Sequence, residues 1–163
     1  MTTIALYGLN DEPYVDSVRR SLSELAPILG NEQYSRYLVL GGDFNILAGK
    51  APSRKPHPGN ELLEEFKAYG LIDCLASALP PDRYYHEPIR RTDMDNCRCG
   101  LREACTHTRT YYDYRRPHIP YQDDYLFASP ALAADGHLVS CIAQPVGPGS
   151  PSDYAPLIAV FDV

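Results

Sequence analysis

Apolar positions along the chain form short runs separated by one long periodic stripe, which predicts alternating strands and helices. Residues Thr3 to Tyr7 and Tyr37 to Gly41 are compact apolar runs, as expected for strands buried inside a layered protein. Between them, apolar side chains recur at steps of three and four and predict an amphipathic helix that stops at Gly30. That stripe consists of Val15, Val18, Leu22, Leu25 and Leu29.

The rest of the chain predicts a second helix, a long polar segment and four further strands. The helix covers Asn60 to Tyr69, and the polar segment at residues 80–107 is predicted to be a loop or insertion with little core of its own. The strands are predicted at Thr108 to Tyr114, Asp124 to Ala128, His137 to Ala143 and Pro156 to Val163. From Leu157 onward nearly every residue is apolar, which predicts a strand covered on both faces. The pattern therefore favours an α/β (α+β) fold.

Length and composition are those of one domain, since 163 residues with 44% hydrophobic content are too few for two well-packed domains. The formal net charge of −6 excludes a global attraction to nucleic acid or to an anionic membrane, so a polyanion needs a local site. No apolar run approaches the roughly 20 residues of a membrane span. Met1 leads directly into strand-like sequence without a signal peptide, and we expect a cytoplasmic protein without membrane contact.

Four soft metal ligands lie close together in the long polar segment. Cys97 and Cys99 are followed by Cys105 and His107, and zinc favours a tetrahedral set of this kind. A zinc ion held by all four would be structural, because it would have no open position for substrate. The alternative is a loop with reduced cysteines, which the tight Cys-x-Cys spacing favours.

Polar motifs stand at the ends of three predicted strands. Asp43 and Asn45 are two residues apart in Gly-Asp-Phe-Asn and project to the same side, Asp124 opens an apolar strand, and Asp153 precedes the last strand together with Tyr154. Each motif alone is also typical of a polar turn or a solvated strand entrance. Because strand ends of a layered sheet converge on one cleft, the three together predict a site in which a carboxylate takes a proton and a carboxamide holds a phosphoryl oxygen.

In this order, Gly-Asp-Phe-Asn, Asp-Tyr-Leu-Phe-Ala-Ser and Ser-Asp-Tyr-Ala-Pro-Leu resemble the last three signature blocks of the endonuclease/exonuclease/phosphatase superfamily. The resemblance implies that residues 1–163 form one partial domain, the C-terminal half of a four-layer α-β-β-α sandwich with a mixed sheet and helices on one face. It implies that Asp43 activates water, Asn45 binds phosphate and Asp124 orients a catalytic histidine. Asp153, with Asp43, would belong to a weak Mg²⁺ or Mn²⁺ site.

Tyr7 and Asn10 resemble the Tyr-x-x-Asn with which some nucleases of the family touch the phosphate. Two departures weaken the expected activity. The family's N-terminal half, with its metal-binding glutamate, has no counterpart here, and Tyr154 stands where the family has histidine. The expectation is a divalent-metal-dependent phosphoester hydrolase of nuclease type with impaired activity; the alternative is a truncated, non-catalytic binding or interaction module.

The absent half would also leave one sheet face uncovered, which predicts a homodimer or a partner chain across that face. A further prediction concerns the substrate. Eight arginines lie between Arg83 and Arg116, and six acidic residues lie between Asp82 and Asp113, with Tyr111, Tyr112 and Tyr114 nearby. Such a segment is suited to a phosphate backbone and unpaired bases, although a solvated, partly ion-paired loop has the same composition.

Overall fold

A computed structural model of the chain describes residues 1–9, 13–46, 58–78, 108–115, 121–134, 136–144, 146 and 149–162. Its strands are β1 (Thr2–Ala5), β2 (Leu38–Asp43), β3 (Ile72–Asp73), β4 (Asp124–Ala128), β5 (Leu138–Ala143) and β6 (Leu157–Phe161). Its helices are α1 (Tyr14–Leu29), α2 (Glu32–Ser35), α3 (Pro58–Ala68), α4 (Cys74–Ala78) and α5 (Pro130–Ala133). The predicted zinc ligands Cys97, Cys99, Cys105 and His107, the 80–107 segment and Asn10 lie outside the described residues.

The main sheet has four strands in the order β1-β2-β4-β3, and β5 pairs with β6 in a separate sheet. β1 runs parallel to β2, whereas β4 is antiparallel to both β2 and β3. The sheet is therefore mixed, as predicted. Both long predicted helices are confirmed as α1 and α3. In the part of the chain that the structure describes, no helix is both long and apolar enough to cross a membrane.

One face of the main sheet packs against α1 and α3. Side chains alternate along β2 and β4, so Leu38 and Leu40 share this face with Tyr125 and Phe127. The aromatic rings stack, with 4.8 Å between the ring centroids of Phe66 and Phe127. The buried residues of this core also include Val18, Leu22, Leu29, Phe44, Ile46, Leu62 and Leu71. The polar motifs lie at the ends of β2 and β4, next to this packed layer.

Among the described residues, the β5–β6 sheet is covered on one face, and whether a second copy or a partner chain covers the other face stays a prediction. Leu157, Ala159 and Phe161 pack with Cys74, Leu75, Ala128, Leu132 and Cys141 in a second apolar cluster. Four intervening apolar side chains point away from it and are 42% to 61% exposed: Val139, Ile142, Ile158 and Val160. A run of apolar residues shows only that the side chains favour burial. Burial on both faces also requires a structure packed against each face, and the described residues supply one for a single face of β5–β6.

The predicted strand at Thr108 to Tyr114 is wrong. Only isolated antiparallel bridges form there, from Tyr111 to Tyr121 and to Tyr154. Tyrosine favours β-strands, but the bridge partners of Tyr111 are Tyr121 and Tyr154, which both lie outside the named strands.

Gly42 permits a close approach of two backbones at the carboxyl end of β2. Its φ is 145°, and a Cβ there would lie 2.1 Å from the carbonyl oxygen of Leu6. The pairing continues past β1, because the N–H of Leu6 donates to Gly41 at 2.9 Å and that of Gly8 donates to Asp43 at 2.9 Å. A side chain at Gly42 would therefore push these segments apart.

We expect Gly42→Ala to lower the free energy of unfolding by about 2–4 kcal/mol, because the clash adds to an unfavourable φ. Gly70→Ala is the matched control: its φ is 79°, but among the described residues, its chain neighbours aside, no atom lies within 4 Å of its added Cβ, so only about 1 kcal/mol should be lost. Urea unfolding measures both. Equal losses would show that the backbone approach at Gly42 has no energetic consequence.

Candidate active site

Two of the predicted acidic residues face each other across neighbouring strands. Asp43 is the last residue of β2, Asp124 is the first of β4, and they are paired in the antiparallel register. Side chains of directly opposed residues have Cβ atoms about 4.5–5.5 Å apart. The structure therefore joins two carboxylates that are far apart in sequence.

Asn45 holds Asp43 in place from the following turn. Its backbone has a φ of 53°, in the left-handed region that asparagine tolerates better than most residues. The main-chain N–H donates to Asp43 Oδ1 at 2.9 Å, and the side-chain amide also hydrogen-bonds the carboxylate. Nδ2 donates in addition to the carbonyl of Gly8 at 3.2 Å. To bind a phosphate, the side-chain amide N–H₂ of Asn45 would have to give up one of its hydrogen bonds.

Thr110 is a site residue that sequence reasoning missed. Its buried Oγ1 accepts the main-chain N–H groups of Asp123 and Asp124 at 3.0 and 3.1 Å. The hydroxyl also hydrogen-bonds the Asp124 carboxylate. One hydroxyl thus fixes both the backbone and the side chain at the start of β4. One of three alternating threonines in a polar, tyrosine-rich stretch carries no sequence signal for this role.

Burial raises the pKa of both paired carboxyls. The pKa of Asp124 rises to about 6, mainly through burial; the hydrogen bond from Thr110 opposes part of this rise, and the negative charge of Asp43 makes a smaller contribution that raises the pKa. Burial likewise raises the pKa of Asp43, against hydrogen bonds from Asn45 and Tyr154. Asp124 Oδ2 is buried and has no hydrogen-bond partner among the described residues. The pair therefore has a high affinity for positive charge.

Tyr154 contacts this pair from a third segment of the chain. Its phenol lies near enough to the Asp43 carboxylate to lower the pKa of that group slightly. Its ring lies 5.0 Å from that of Tyr111, and its N–H donates to Ser152 Oγ at 3.1 Å. Burial, and to a smaller extent the negative charges of Asp43, Asp123 and Asp124, raise the pKa of the phenol well above its usual value. At neutral pH the phenol is protonated and acts as a donor.

Asp153 and Tyr7 lie at the margin of this cluster. Asp153 is exposed, its carbonyl accepts the N–H of Tyr112 at 2.8 Å, and its charge adds to burial in raising the pKa of Tyr111. Tyr7 is exposed next to Gly8, the residue that Asn45 contacts. The structure thus groups Asp43, Asn45, Asp124 and Tyr154, with Asp153 beside Tyr111 at the surface.

The carboxylates of this site fit a divalent cation only if a substrate phosphate supplies further oxygen ligands. Within residues 1–9, 13–46 and the other described ranges, no group of three or more Asp, Glu, His or Cys side chains is arranged to hold a metal ion. Mg²⁺, however, is usually bound by one or two carboxylates, with water and phosphate as the other ligands. Asp124 Oδ2, buried without a hydrogen-bond partner in those ranges, is an oxygen that such an ion would satisfy.

We expect Asp124→Asn to stabilise the protein above pH 6 and to have little effect near pH 4, measured in EDTA. The unfolded carboxyl titrates near 3.9 and the folded one near 6, so the folded state binds more protons between these values. Wild-type stability therefore falls as the pH rises through this window, by about 1–2 kcal/mol after allowance for partial exposure. Thermal unfolding at pH 4 and pH 8 measures the difference. A pH-independent difference between the two proteins would contradict the assignment.

No family model and no curated protein matches the sequence. Solved structures do match. The 3′ phosphatase NExo from Neisseria, bound to a product DNA hairpin, has a TM-score of 0.61 and 21% identity over 98% of this chain and 61% of that one. The 3′-5′ exonuclease NExo from Neisseria meningitidis has a TM-score of 0.48 and 22% identity over 91% of this chain and 50% of that one.

An AP endonuclease from Archaeoglobus fulgidus has a TM-score of 0.43 and 22% identity over 98% of this chain and 61% of that chain. This chain therefore spans between 50% and 61% of the length of these structures. The superposition on the DNA-bound phosphatase shows a shared fold.

Proposed function

Because this chain has the fold of the endonuclease/exonuclease/phosphatase superfamily, we propose that it is a phosphodiester hydrolase of the nuclease type. The observation that carries the proposal is the meeting of Asp43, Asp124 and Tyr154 from three separate segments. In the proposed reaction Asp43 accepts the proton of the attacking nucleophile, and a raised pKa makes it a stronger base than an exposed carboxylate. Asn45 orients Asp43 and contacts the phosphate, and Tyr7 flanks it.

Nucleic acid is the substrate that the surface beside the site favours. The Arg109 guanidinium lies 4.7 Å from the centre of the Tyr112 ring, and that of Arg115 lies 5.4 Å from the centre of the Tyr114 ring, which is 74% exposed. Flat cation–aromatic pairs of this kind bind backbone phosphates and stack on unpaired bases. The DNA-bound phosphatase of similar fold supports the same choice.

We propose Mg²⁺ or Mn²⁺ as the cofactor, weakly held by Asp124 and the substrate phosphate, with Asp43 and the exposed Asp153 as the other acidic groups at this end. The cation would supply positive charge to the phosphoryl oxygens. Tyr154 would keep activity low, because a phenol is a poorer proton-transfer group at neutral pH than the imidazole that the family resemblance implies.

The test is hydrolysis that requires both the cation and Asp43. Bis(p-nitrophenyl) phosphate, a single-stranded oligonucleotide and a DNA hairpin with a 3′ phosphate are incubated with the purified chain in Mg²⁺, Mn²⁺ or EDTA. Cleavage should occur with either cation and should stop in EDTA. Cleavage that is equal in EDTA, or no cleavage of any substrate, would refute the proposal.

A non-catalytic interaction module is the second candidate, favoured by the exposed face of β5–β6 that carries Val139, Ile142, Ile158 and Val160. Exposed apolar side chains grouped on one sheet face are typical of an association surface. A second copy or a partner chain would cover it. Sedimentation of the wild type and Ile158→Lys tests this idea, and a wild type that stays monomeric at micromolar concentration argues against the homodimer.

A further inference from the structure

Thr110 joins three segments of the chain that meet at the site. Its Oγ1 accepts the main-chain N–H groups of Asp123 and Asp124 at 3.0 and 3.1 Å. Its own N–H donates to the carbonyl of Tyr121 at 2.8 Å, and its carbonyl accepts the N–H of Ala155 at 2.7 Å. The residue is fully buried. It therefore connects the start of β4 to the segment that precedes β6.

The same hydrogen bonds reach the turn after β2. The carbonyl of Asp123 accepts the N–H of Phe44 at 2.9 Å, and Phe44 lies between Asp43 and Asn45. Asp43 and Asp124 are themselves opposed in the register of β2 and β4. A displacement of the main chain at Asp123 would therefore shift the two carboxylates relative to each other.

The hydroxyl oxygen is the part of Thr110 on which this arrangement depends. Valine has nearly the same shape but offers no acceptor, so the N–H groups of Asp123 and Asp124 would lose their partner. A buried N–H group without a hydrogen bond is unfavourable, and the main chain would move to find another acceptor. Serine keeps the oxygen. The two substitutions thus separate the effect of the hydroxyl from that of the side-chain volume.

We propose that Thr110 is a positioning residue for the reaction, because its hydroxyl holds the main chain at Asp123 and Asp124 and thereby sets the separation of the Asp43 and Asp124 carboxylates. Thr110 is too deeply buried to contact a substrate, so it acts only through these residues. The inference rests on the proposed function, which assigns a reaction to the pair. A displacement of about 1 Å in reacting groups lowers a rate roughly 10²-fold.

Ser129 shows what a purely structural hydroxyl looks like in the same strands. It is buried and follows the last residue of β4, at the end opposite to the site. Its Oγ accepts the N–H of Leu38 at 3.2 Å and donates to the carbonyl of Arg36 at 2.7 Å. Like Thr110, it joins an end of β4 to main chain that is distant in sequence. Ser129→Ala is therefore the matched control for stability.

Steady-state hydrolysis of bis(p-nitrophenyl) phosphate in Mn²⁺ tests the role of Thr110. Thr110→Val should lower kcat about 10²-fold and change KM less than about threefold, since no contact with the substrate is removed. Thr110→Ser should keep kcat within about threefold of the wild type, because the acceptor is retained. Ser129→Ala should lose a similar amount of thermal stability and keep the wild-type kcat.

Thr110→Ala provides a second variant without the hydroxyl. A water molecule can occupy the space of the lost side chain and satisfy the two N–H groups, so this protein should fold even if Thr110→Val does not. Because a water is held less firmly than a covalently attached oxygen, kcat should still fall, by about tenfold or more. Far-UV circular dichroism shows whether each variant is folded.

Nuclear magnetic resonance in EDTA, without substrate, gives a measurement that does not depend on activity. The amide signals of Asp123 and Asp124 report their hydrogen bonds to the hydroxyl, and that of Phe44 reports the turn after β2. All three should move in Thr110→Val and in Thr110→Ala, and they should stay near their wild-type positions in Thr110→Ser. Ser129→Ala should leave them in place.

The outcomes distinguish the inference from the proposed function. A folded Thr110→Val or Thr110→Ala variant with the wild-type kcat would overturn the positioning role and leave the hydrolase intact. An equal fall of kcat in Ser129→Ala would also overturn it, because the loss would then follow stability. A wild type that hydrolyses no phosphodiester would refute the hydrolase and, with it, any role of Thr110 in a reaction, whatever the amide signals show.

Discussion

Asp43→Asn is expected to lower the rate of phosphodiester hydrolysis about 10²–10⁴-fold, the usual contribution of a general acid–base group. The amide cannot accept the proton that the attacking hydroxyl must lose. Its oxygen can still accept the N–H of Asn45, so the turn after β2 should keep its shape. Removal of a half-buried charge next to Asp124 should leave the thermal stability equal or higher.

This combination of lost activity and retained stability separates a role in catalysis from a role in folding. The measurements are kcat/KM with bis(p-nitrophenyl) phosphate and the unfolding midpoint. Asp16→Asn is the matched control, because Asp16 is an exposed carboxylate on α1 that pairs only with Arg19 at 3.5 Å among the contacts of the described residues. If both variants hydrolyse at the wild-type rate, Asp43 has no part in the reaction.

Tyr154→His is expected to raise hydrolysis at pH 7 about 10²-fold or more. An imidazole titrates near 6.5, and therefore exchanges protons at neutral pH far more readily than this phenol. The carboxylates of Asp43 and Asp124 would favour its protonated form, which also stabilises negative charge on a phosphoryl group. The rate should fall again as the pH rises past the imidazole pKa.

Tyr154→Phe is the control for that gain, because it keeps the ring contact with Tyr111 and removes the proton. Its rate should lie below that of the wild type. Equal rates for the two variants would show that proton transfer at this position does not limit turnover.

Sequence patterns were sufficient to predict those elements that depend mainly on the order of their own residues. Apolar periodicity was sufficient for α1 and β2, and the spacing of Asp43 and Asn45 at a strand end was sufficient to place one side of the site. Thr110 could not be found in this way. Its partners are main-chain groups 13 and 14 residues away, brought within reach only by tertiary folding.

The same limit explains the wrong strand prediction at Thr108 to Tyr114. A β-branched or aromatic residue favours an extended backbone, but a strand also needs a neighbouring strand, and Tyr111 finds only isolated bridges. Ile158 and Val160 are apolar without being covered. Burial depends on what lies opposite, and local composition does not contain that information.

The pairing of Asp43 with Asp124 makes the chemistry of this protein inseparable from one strand register. A slip of β4 by one residue would turn its carboxylate to the opposite face of the sheet. A one-residue deletion inside β2 or β4 should therefore abolish the site even if the protein still folds.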